Sequence, residues 1–290
     1  MGGAALNFSV HSSRLGHRTV LLSAVGADER GRRALNEVAE FGLTTAFIRT
    51  VPDVETGLVS VTLIDGQPQY EIHRPAAYDH VHLTSGDYDA LASLDPSYIY
   101  FGTLSQTASQ VRTTTERLLA RNPTASRFYD LNLRKNCYNR ELVRTLMAEA
   151  DYDKLNEHEA EVVMRMLGSH KRSLEEFCRV YADAFRWKGV CVTRGQCGSA
   201  ILLGDEYHEA PGYPVQVADP VGAGDAFAAA LVHGISEGWP PKEVADFGNR
   251  LGALVASRKG AIPSYEPAEI AALQGLPASP ADITARVTQR

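Results

Sequence analysis

Apolar residues follow two different periods along this chain, and these periods divide most of it into helices and strands. Helical spacing predicts helices over residues 4–15, 28–41, 110–121, 140–150, 157–167, 174–185, 223–237 and 243–257. Short runs of β-branched and aromatic residues predict strands over residues 19–25, 98–101, 127–131, 154–155, 189–193 and 215–217. Because strands that alternate with helices form parallel sheets covered on both faces, the pattern predicts an α/β fold.

Two antiparallel hairpins interrupt the alternation, each with a Gly-containing dipeptide that favours a tight turn. They are residues 57–64 with 69–74 through Asp65-Gly66, and residues 199–203 with 207–209 through Gly204-Asp205. The first predicts a small β excursion near residues 55–76. The segment after Gly275 is rich in Pro, Ala and Ser, and we expect it to pack only loosely.

Composition narrows the class of protein. The chain has 290 residues, 44% of them hydrophobic and 22% charged, with a net charge of −6, which is typical of a globular protein. Lys and Arg are scattered, so the sequence lacks the basic patch of a nucleic-acid binder. No apolar run approaches the roughly 20 residues that cross a bilayer, and no targeting signal is evident, so we expect a cytoplasmic protein without a membrane partner.

The four cysteines give no sign of a metal site or a disulfide framework. Cys137, Cys178, Cys191 and Cys197 form no C-x-x-C pair and have no His at zinc-ligand spacing. We therefore expect reduced thiols.

The most informative stretch of the chain is Asp219-Pro-Val-Gly-Ala-Gly-Asp225-Ala-Phe227. It opens a predicted helix with small residues, where exposed N–H groups and the positive end of the helix dipole favour an anion. A carboxylate at Asp225 could accept a proton from a hydroxyl held beside that anion. The alternative is a plain tight turn with Asp as a helix-start residue. A dinucleotide fingerprint is excluded because Phe227 occupies its third small position, and a Walker A loop because no G-K-[ST] follows.

This stretch resembles the second signature of the ribokinase-like, or pfkB, family of sugar kinases, D-[TS]-x-G-A-G-D-x-F, with Pro220 in place of the hydroxyl residue. Further motifs stand in family order along nearly the whole chain. They are Gly2-Gly3 with Asn7 and Leu15-Gly16, Gly26 with Asp28, Asp130-x-Asn132-x-Arg134, Asn156-x-x-Glu159, Thr193-Arg-Gly195 with Gly198, and Arg258-Lys-Gly260-Ala261.

The resemblance implies a three-layer ribokinase-like fold over residues 1–290 as a single domain, with a mostly parallel central sheet flanked by helices and a small β-lid. Family members carry a core strand and part of the lid ahead of the Gly2-Gly3 signature. We therefore expect that strand to be missing here, and a version extended upstream to be more stable and more active. The lid also implies a homodimer.

The resemblance also assigns catalytic roles. Asp225 would be the general base, and Gly222, Ala223 and Gly224 would supply N–H groups to the phosphoryl group of ATP. Asn156 and Glu159 would hold the waters of Mg²⁺. The same Asn-x-x-Glu pair is also a helix capping box, and the two interpretations are compatible.

Further positions are implied for the nucleotide and for a cation. The nucleotide would contact Asn156, Gly222 and Gly224 together with Thr193, Gly195, Gly198 and Asn249. A small-residue turn explains the residues from 193 to 198 as well, and a solvated helix position explains Asn249. A candidate site for a monovalent cation, K⁺, comprises Asp219, Val221, Val255, Arg258, Gly260 and Ser264.

The acceptor implied by the resemblance is a small sugar: fructose, or a related ketose or keto-sugar acid. Its candidate contacts are Gly3, Asn7, Arg74, Asp130, Asn132 and Arg134. Asp130 and Asn132 follow a predicted strand, and ligands of parallel sheets gather at the carboxyl ends of strands. Two alternatives stay open, a nucleoside kinase of the same family and a relative that binds sugar or nucleotide without catalysis.

Overall fold

The computed structural model of the protein describes residues 2–64, 67–170 and 172–273. The predicted turn at Asp65-Gly66 and the segment after Gly275 lie outside the described residues. The chain divides into two compact units, the first containing residues 19–99 and 104–125, and the second residues 2–18, 100–103 and 126 onward. A single domain over residues 1–290 stays a prediction.

Helices and strands alternate along the described chain, as the hydrophobic pattern predicts. The helices are α1 (Ala4–Arg14), α2 (Glu29–Glu40), α3 (Ser85–Ala92), α4 (Thr103–Gln106), α5 (Ser109–Arg121), α6 (Arg140–Glu149), α7 (Glu157–Met166), α8 (Leu174–Phe185), α9 (Ala223–Ser236), α10 (Pro241–Ala256) and α11 (Pro267–Ala272). The strands are β1 (Ser23–Gly26), β2 (Ile48–Val51), β3 (Val59–Ile64), β4 (Gln67–Ile72), β5 (Tyr98–Gly102), β6 (Ser126–Asp130), β7 (Tyr152–Asn156), β8 (Gly189–Thr193), β9 (Ser199–Leu203) and β10 (Glu206–Ala210).

The main sheet has six strands in the order β10-β9-β8-β7-β6-β5. β6, β7 and β8 are parallel, whereas β9 and β10 form an antiparallel hairpin at one edge. Strands buried on both faces are continuously apolar, and β8 has this composition, with four of its five residues buried. The prediction of an α/β fold with a mostly parallel sheet is confirmed.

The first unit carries two small sheets. β1 and β2 pair in parallel, and β3 and β4 pair antiparallel with Val59 opposite Ile72. The β3–β4 hairpin occupies the position predicted for the β excursion, and its first residue, Val59, is 48% exposed.

Alanine-rich helices form the core of the second unit beside the sheet. α1 and α10 pack against α9, whose Ala226 and Ala230 are fully buried. Small side chains permit this close approach, and the Phe227 ring lies against Gly248 of α10, where an added Cβ would stand 2.7 Å from the ring. This packing fixes the start of α9 relative to α10.

Several boundaries differ from the prediction. The strand predicted at 215–217 is wrong: the chain is irregular there and Val217 is 56% exposed, so β-branched side chains alone did not create a ladder. The strand predicted over 19–25 is confined to β1. β2 and α3 were not predicted, because each is short and their burial depends on contacts within the first unit.

No helix among the described residues is long and apolar enough to cross a membrane.

Asp153 is a buried carboxylate in the middle of β7, 1% exposed. Within the described chain, neither of its oxygens has a hydrogen-bond partner. Burial raises the pKa of Asp153 well above its usual range, and the charges of Asp130 and Glu159 raise it further. The folded protein therefore favours the protonated form of Asp153.

We predict that Asp153→Asn stabilises the protein more at pH 8 than at pH 5, with a gain of about 1 kcal/mol or more at pH 8. The raised pKa means that the wild-type folded state binds a proton that the unfolded chain releases near pH 4, so its free energy of unfolding falls as the pH rises. Asn is neutral throughout and removes that slope. Denaturant unfolding of both proteins at the two pH values measures the difference, and an equal effect at both would contradict the assignment.

Candidate active site

The glycine turn, residues 219–224, leads into α9 and includes the first two residues of that helix. Gly222 is the N-cap residue of α9 and has a φ of +83°, which favours glycine. A Cβ there would lie 2.4 Å from the carbonyl oxygen of Ala261. The Asp219 carboxylate accepts from the Val221 N–H at 3.0 Å and the Gly260 N–H at 3.1 Å, which closes the turn. The first N–H groups of α9 and the positive end of its dipole therefore favour an anion at this turn.

Asp225 lies in the first turn of α9 and is 9% exposed. Its Oδ2 accepts a hydrogen bond of 2.7 Å from the Asn7 side-chain amide on α1. Burial raises the pKa of Asp225 to about 6, and the charge of Asp130 acts in the same direction, while the Asn7 bond and the charges of Lys154 and Arg134 oppose the rise. A carboxylate with this pKa is suited to accept a proton near neutral pH.

Asp130 and Lys154 form a buried ion pair beside this carboxylate. They lie opposite each other in the parallel pairing of β6 and β7, so their side chains share one face of the sheet. Lys154 Nζ lies 3.1 Å from both oxygens of Asp130, and the Tyr100 hydroxyl donates to Asp130 at 3.0 Å. Although burial opposes it, the charge of Asp130 raises the pKa of Lys154, which keeps the ammonium charged.

Lys154 and Tyr100 were missed in the sequence. A Cβ on Gly224 would lie 3.4 Å from Lys154 Nζ, so the ammonium stands next to the glycine turn. The available signal was the charged pair Asp153-Lys154 next to the apolar Leu155 of a predicted strand, because an unpaired charge in a buried strand is costly. Tyr100 gave no such signal; its place depends on stacking against Phe8, with ring centroids 3.9 Å apart.

The other residues predicted to contact the acceptor lie in two places. Gly3 caps α1, where its carbonyl accepts from the Asn7 N–H at 2.9 Å. Asn132 follows β6 with a φ of +38°, and the exposed Arg134 lies two residues further on. Arg74 belongs to the first unit, where its guanidinium is bonded to Asp79 and to the Leu104 carbonyl.

Asn156 and Glu159 form the capping box that the sequence allows. Asn156 Oδ1 accepts from the Glu159 N–H at 2.9 Å, and Glu159 Oε2 accepts from the Asn156 N–H at 2.8 Å. The other Glu159 oxygen accepts from the Leu133 N–H at 2.7 Å. Glu159 thus links the segment after β6 to the start of α7, and Asn156 is exposed.

The residues predicted to contact a nucleotide follow β8 and lie on α10. Thr193 ends β8, and Gly195 and Gly198 have φ values of +56° and +94°, which supports the turn interpretation. Asn249 is buried and donates to the Ala210 and Pro211 carbonyls at 3.3 and 3.1 Å. The alternative of a solvated helix position is therefore wrong for Asn249.

The residues predicted to bind a cation lie on two segments, residues 219–221 and 255–264, which hydrogen bonds join. Gly260 is bonded to Asp219, the Ala218 N–H donates to the Ala256 carbonyl at 2.9 Å, and Arg258 donates from its guanidinium to the Ser264 carbonyl. Both Asp219 oxygens accept hydrogen bonds from backbone N–H groups. The Val255 carbonyl accepts from the Arg258 N–H, and Val221 is 40% exposed. Among the described residues, no three His, Cys, Asp or Glu side chains cluster as metal ligands.

Comparison with known proteins gives one consistent family. A family model described as pfkB family carbohydrate kinase matches residues 1–268. Fructokinase-1 from Zea mays is 29% identical over 290 residues, covering 94% of this chain and 87% of that protein.

Solved structures resemble the fold closely. A fructokinase with bound ATP from Xylella fastidiosa superposes with a TM-score of 0.79 at 24% identity, covering 90% of this chain and 86% of that one. A 2-dehydro-3-deoxygluconokinase from Thermotoga maritima superposes with a TM-score of 0.81 at 18% identity, covering 93% and 89%. These structures confirm the predicted α/β fold.

We predict that Asn7→Ala raises the pKa of Asp225 above its wild-type value of about 6. The amide of Asn7 bonds the charged form of the carboxylate, so its loss favours the protonated form. Carboxyl ¹³C NMR titration of Asp225 measures the shift. Arg127→Gln, which removes a cation paired with Glu149, serves as the control and should leave that pKa unchanged. A lower or equal pKa in the Asn7 variant would contradict the assigned contact.

Proposed function

Since the chain belongs to the pfkB family of carbohydrate kinases, we propose that it transfers the γ-phosphate of ATP to a hydroxyl of fructose or of a related ketose or keto-sugar acid. The enzyme class is a phosphotransferase with an alcohol group as acceptor. The observation that carries the proposal is the position of the Asp225 carboxylate, with a pKa raised to about 6, in the first turn of α9 directly after the glycine turn.

In the proposed reaction, Asp225 accepts the proton of the sugar hydroxyl while the hydroxyl oxygen forms a bond to the γ-phosphorus. The bond between that phosphorus and the oxygen bridging it to the β-phosphate breaks, and ADP leaves. The N–H groups of Gly222, Ala223 and Gly224 stabilise the charge of the transferring group. Asn156 and Glu159 would hold the waters of Mg²⁺, which neutralises phosphate charge when bound.

The buried ion pair supports this assignment of Asp225. Lys154 stands beside Gly224, so its ammonium adds positive charge next to the group being transferred. Its pairing with Asp130 keeps that ammonium in place. Thr193, Gly195, Gly198 and Asn249 are the proposed contacts of the nucleotide.

The acceptor class follows from the side chains around Asp225. The Asn7 amide can donate and accept, and Asn132 offers a second amide after the carboxyl end of β6, a pair suited to vicinal hydroxyls. Asp130 is fully buried and bonded to Lys154 and Tyr100, so its part in acceptor binding is to hold those two side chains in place. Arg134, exposed two residues after Asn132, suits an acceptor that carries a carboxylate, such as a keto-sugar acid. The name of the maize relative, fructokinase-1, favours fructose within this class.

Three further parts of the proposal concern a monovalent cation, the oligomeric state and the cellular location. The linked segments at Asp219 and Gly260 support stimulation by K⁺, and replacement of K⁺ by a large organic cation would test it. The exposed Leu58 and Val59 of the β3–β4 hairpin support a homodimer, which a concentration series of solution mass would test. We also propose a cytoplasmic location.

We predict that Asp225→Asn lowers kcat by about 10²- to 10⁴-fold while the affinity for ATP changes little, because the variant loses a base and retains the glycine turn. The measurement is ADP release from Mg-ATP with fructose, 2-keto-3-deoxygluconate, ribose, glucose and adenosine. Glu243→Gln, an exposed acid in the first turn of α10, is the matched control and should keep full activity.

The outcomes separate the alternatives. Sugar-dependent release that the Asp225→Asn substitution abolishes supports the kinase and identifies the acceptor. Release with adenosine alone would favour a nucleoside kinase, and ATP binding without release would favour a non-catalytic relative. Wild-type turnover in the Asp225→Asn variant would refute the base assignment.

We also predict that kcat/KM rises with pH and levels off above an apparent pKa near 6. Only the deprotonated carboxylate of Asp225 can accept the proton, and burial places its pKa at about 6 in the free enzyme. Initial rates at subsaturating sugar from pH 5 to pH 8 give the profile. The Asn7→Ala variant should move the inflection to higher pH, and a profile that is flat over this range would count against Asp225.

A further inference from the structure

His11 is a fully buried histidine on α1, one helical turn after Asn7. Both of its ring nitrogens have partners: Nε2 lies 3.1 Å from the Ala261 carbonyl oxygen and Nδ1 lies 2.9 Å from the Tyr265 hydroxyl. A carbonyl can only accept, so Nε2 carries the proton and Nδ1 accepts from Tyr265. Burial lowers the pKa of His11 to about 4, so the ring is neutral near pH 7.

The carbonyl that His11 binds is the atom that lies against the glycine turn. A Cβ on Gly222 would stand 2.4 Å from the Ala261 oxygen and 2.7 Å from the Ala261 Cα, so the two backbones are in close contact. The neighbouring Gly260 N–H is bonded to Asp219 at the other end of the turn. A displacement of Ala261 would therefore move Gly222, the N-cap residue of α9.

The contacts around His11 fix the segment from Ala261 to Tyr265 to α1. The His11 ring stacks on Tyr265, with centroids 5.7 Å apart and planes 14° apart. Arg14, the last residue of α1, donates to the Pro263 carbonyl at 2.7 Å and lies over the Tyr265 ring. Since α1 also holds Asp225 through Asn7, one helix contacts both the base and the support of the glycine turn.

We propose that His11 is a positioning residue for phosphoryl transfer: its Nε2–H holds the Ala261 carbonyl against Gly222, and so sets the N–H groups of the glycine turn at a fixed place relative to Asp225. The proposal rests on the proposed function, since it assigns His11 to the turn that would bind the transferring group. Loss of the hydrogen bond from His11 to Ala261 should lower kcat more than it lowers the affinity for ATP. Misplaced N–H groups raise the energy of the transition state more than that of bound ATP.

The test compares two substitutions. His11→Leu removes the donor and should lower kcat by about 10- to 100-fold, with the ATP affinity measured by calorimetry within about threefold of wild type. His11→Gln retains an N–H donor on a side chain of similar reach and should restore most of kcat. A role in stability alone predicts that kcat is equal in all folded variants.

Trp187→Phe is the matched control for the loss of a buried donor to a carbonyl. Trp187 Nε1 donates to the Met147 carbonyl at 2.8 Å in the second unit, away from the glycine turn. This variant should lose thermal stability and keep kcat. If His11→Leu does not fold, His11→Phe carries the same test, because it keeps a ring beside Tyr265 and lacks a donor to the Ala261 carbonyl; a reduced kcat is expected.

Unchanged kcat in His11→Leu, or in His11→Phe when the first variant does not fold, overturns the proposal. Equal rate loss in the Leu and Gln variants also overturns it, since the donor would then be irrelevant. If the wild type releases no ADP with any sugar, the proposed function fails. The role of His11 is then tested by binding of Mg-ADP with aluminium fluoride, which His11→Leu should weaken more than His11→Gln; equal binding overturns it.

Discussion

Two carboxylates, Asp130 and Asp225, are buried close enough that the charge of Asp130 acts on Asp225, and their burial away from water is the constraint that the surrounding side chains offset. Lys154 contacts both oxygens of Asp130, and Asn7 donates to Asp225. Asp130 therefore has a buried cation of its own, whereas Asp225 has a neutral donor. Burial and the charge of Asp130 raise the pKa of Asp225, and the Asn7 bond opposes this only in part, so the Asp225 carboxylate is available to take up a proton.

The glycine turn supplies the second half of the site. Its conformation depends on Gly222, because the Ala261 carbonyl occupies the space that any other side chain would need. Asp219 closes the turn through Gly260, and His11 holds Ala261 from the opposite side. Base and turn are thus both attached to α1, through buried hydrogen bonds that connect residues more than 200 positions apart in the chain.

Sequence reasoning found the parts of this site that are local. The glycine spacing and the acid at Asp225 lie within one turn of a helix, so they could be recognised in order. Lys154 could not be assigned, because its role comes from strand register, which places it opposite Asp130. His11 gave no signal either, since its partners lie about 250 residues away. In the fold, the continuously buried strand β8 and the strongly periodic helix α8 matched their predicted bounds, while β2, which is buried at one residue of four, depended on tertiary contacts.

The central claim is that Asp225 and the glycine turn act together to transfer a phosphoryl group to a sugar hydroxyl. ³¹P NMR of the wild-type protein with Mg-ATP and fructose, or with the most active sugar of the panel, tests it most directly. The account predicts that the γ-phosphate resonance is replaced by that of a sugar phosphate monoester in equal amount to the ADP formed. Conversion of the γ-phosphate to inorganic phosphate instead, or an unchanged spectrum with every sugar, would contradict it.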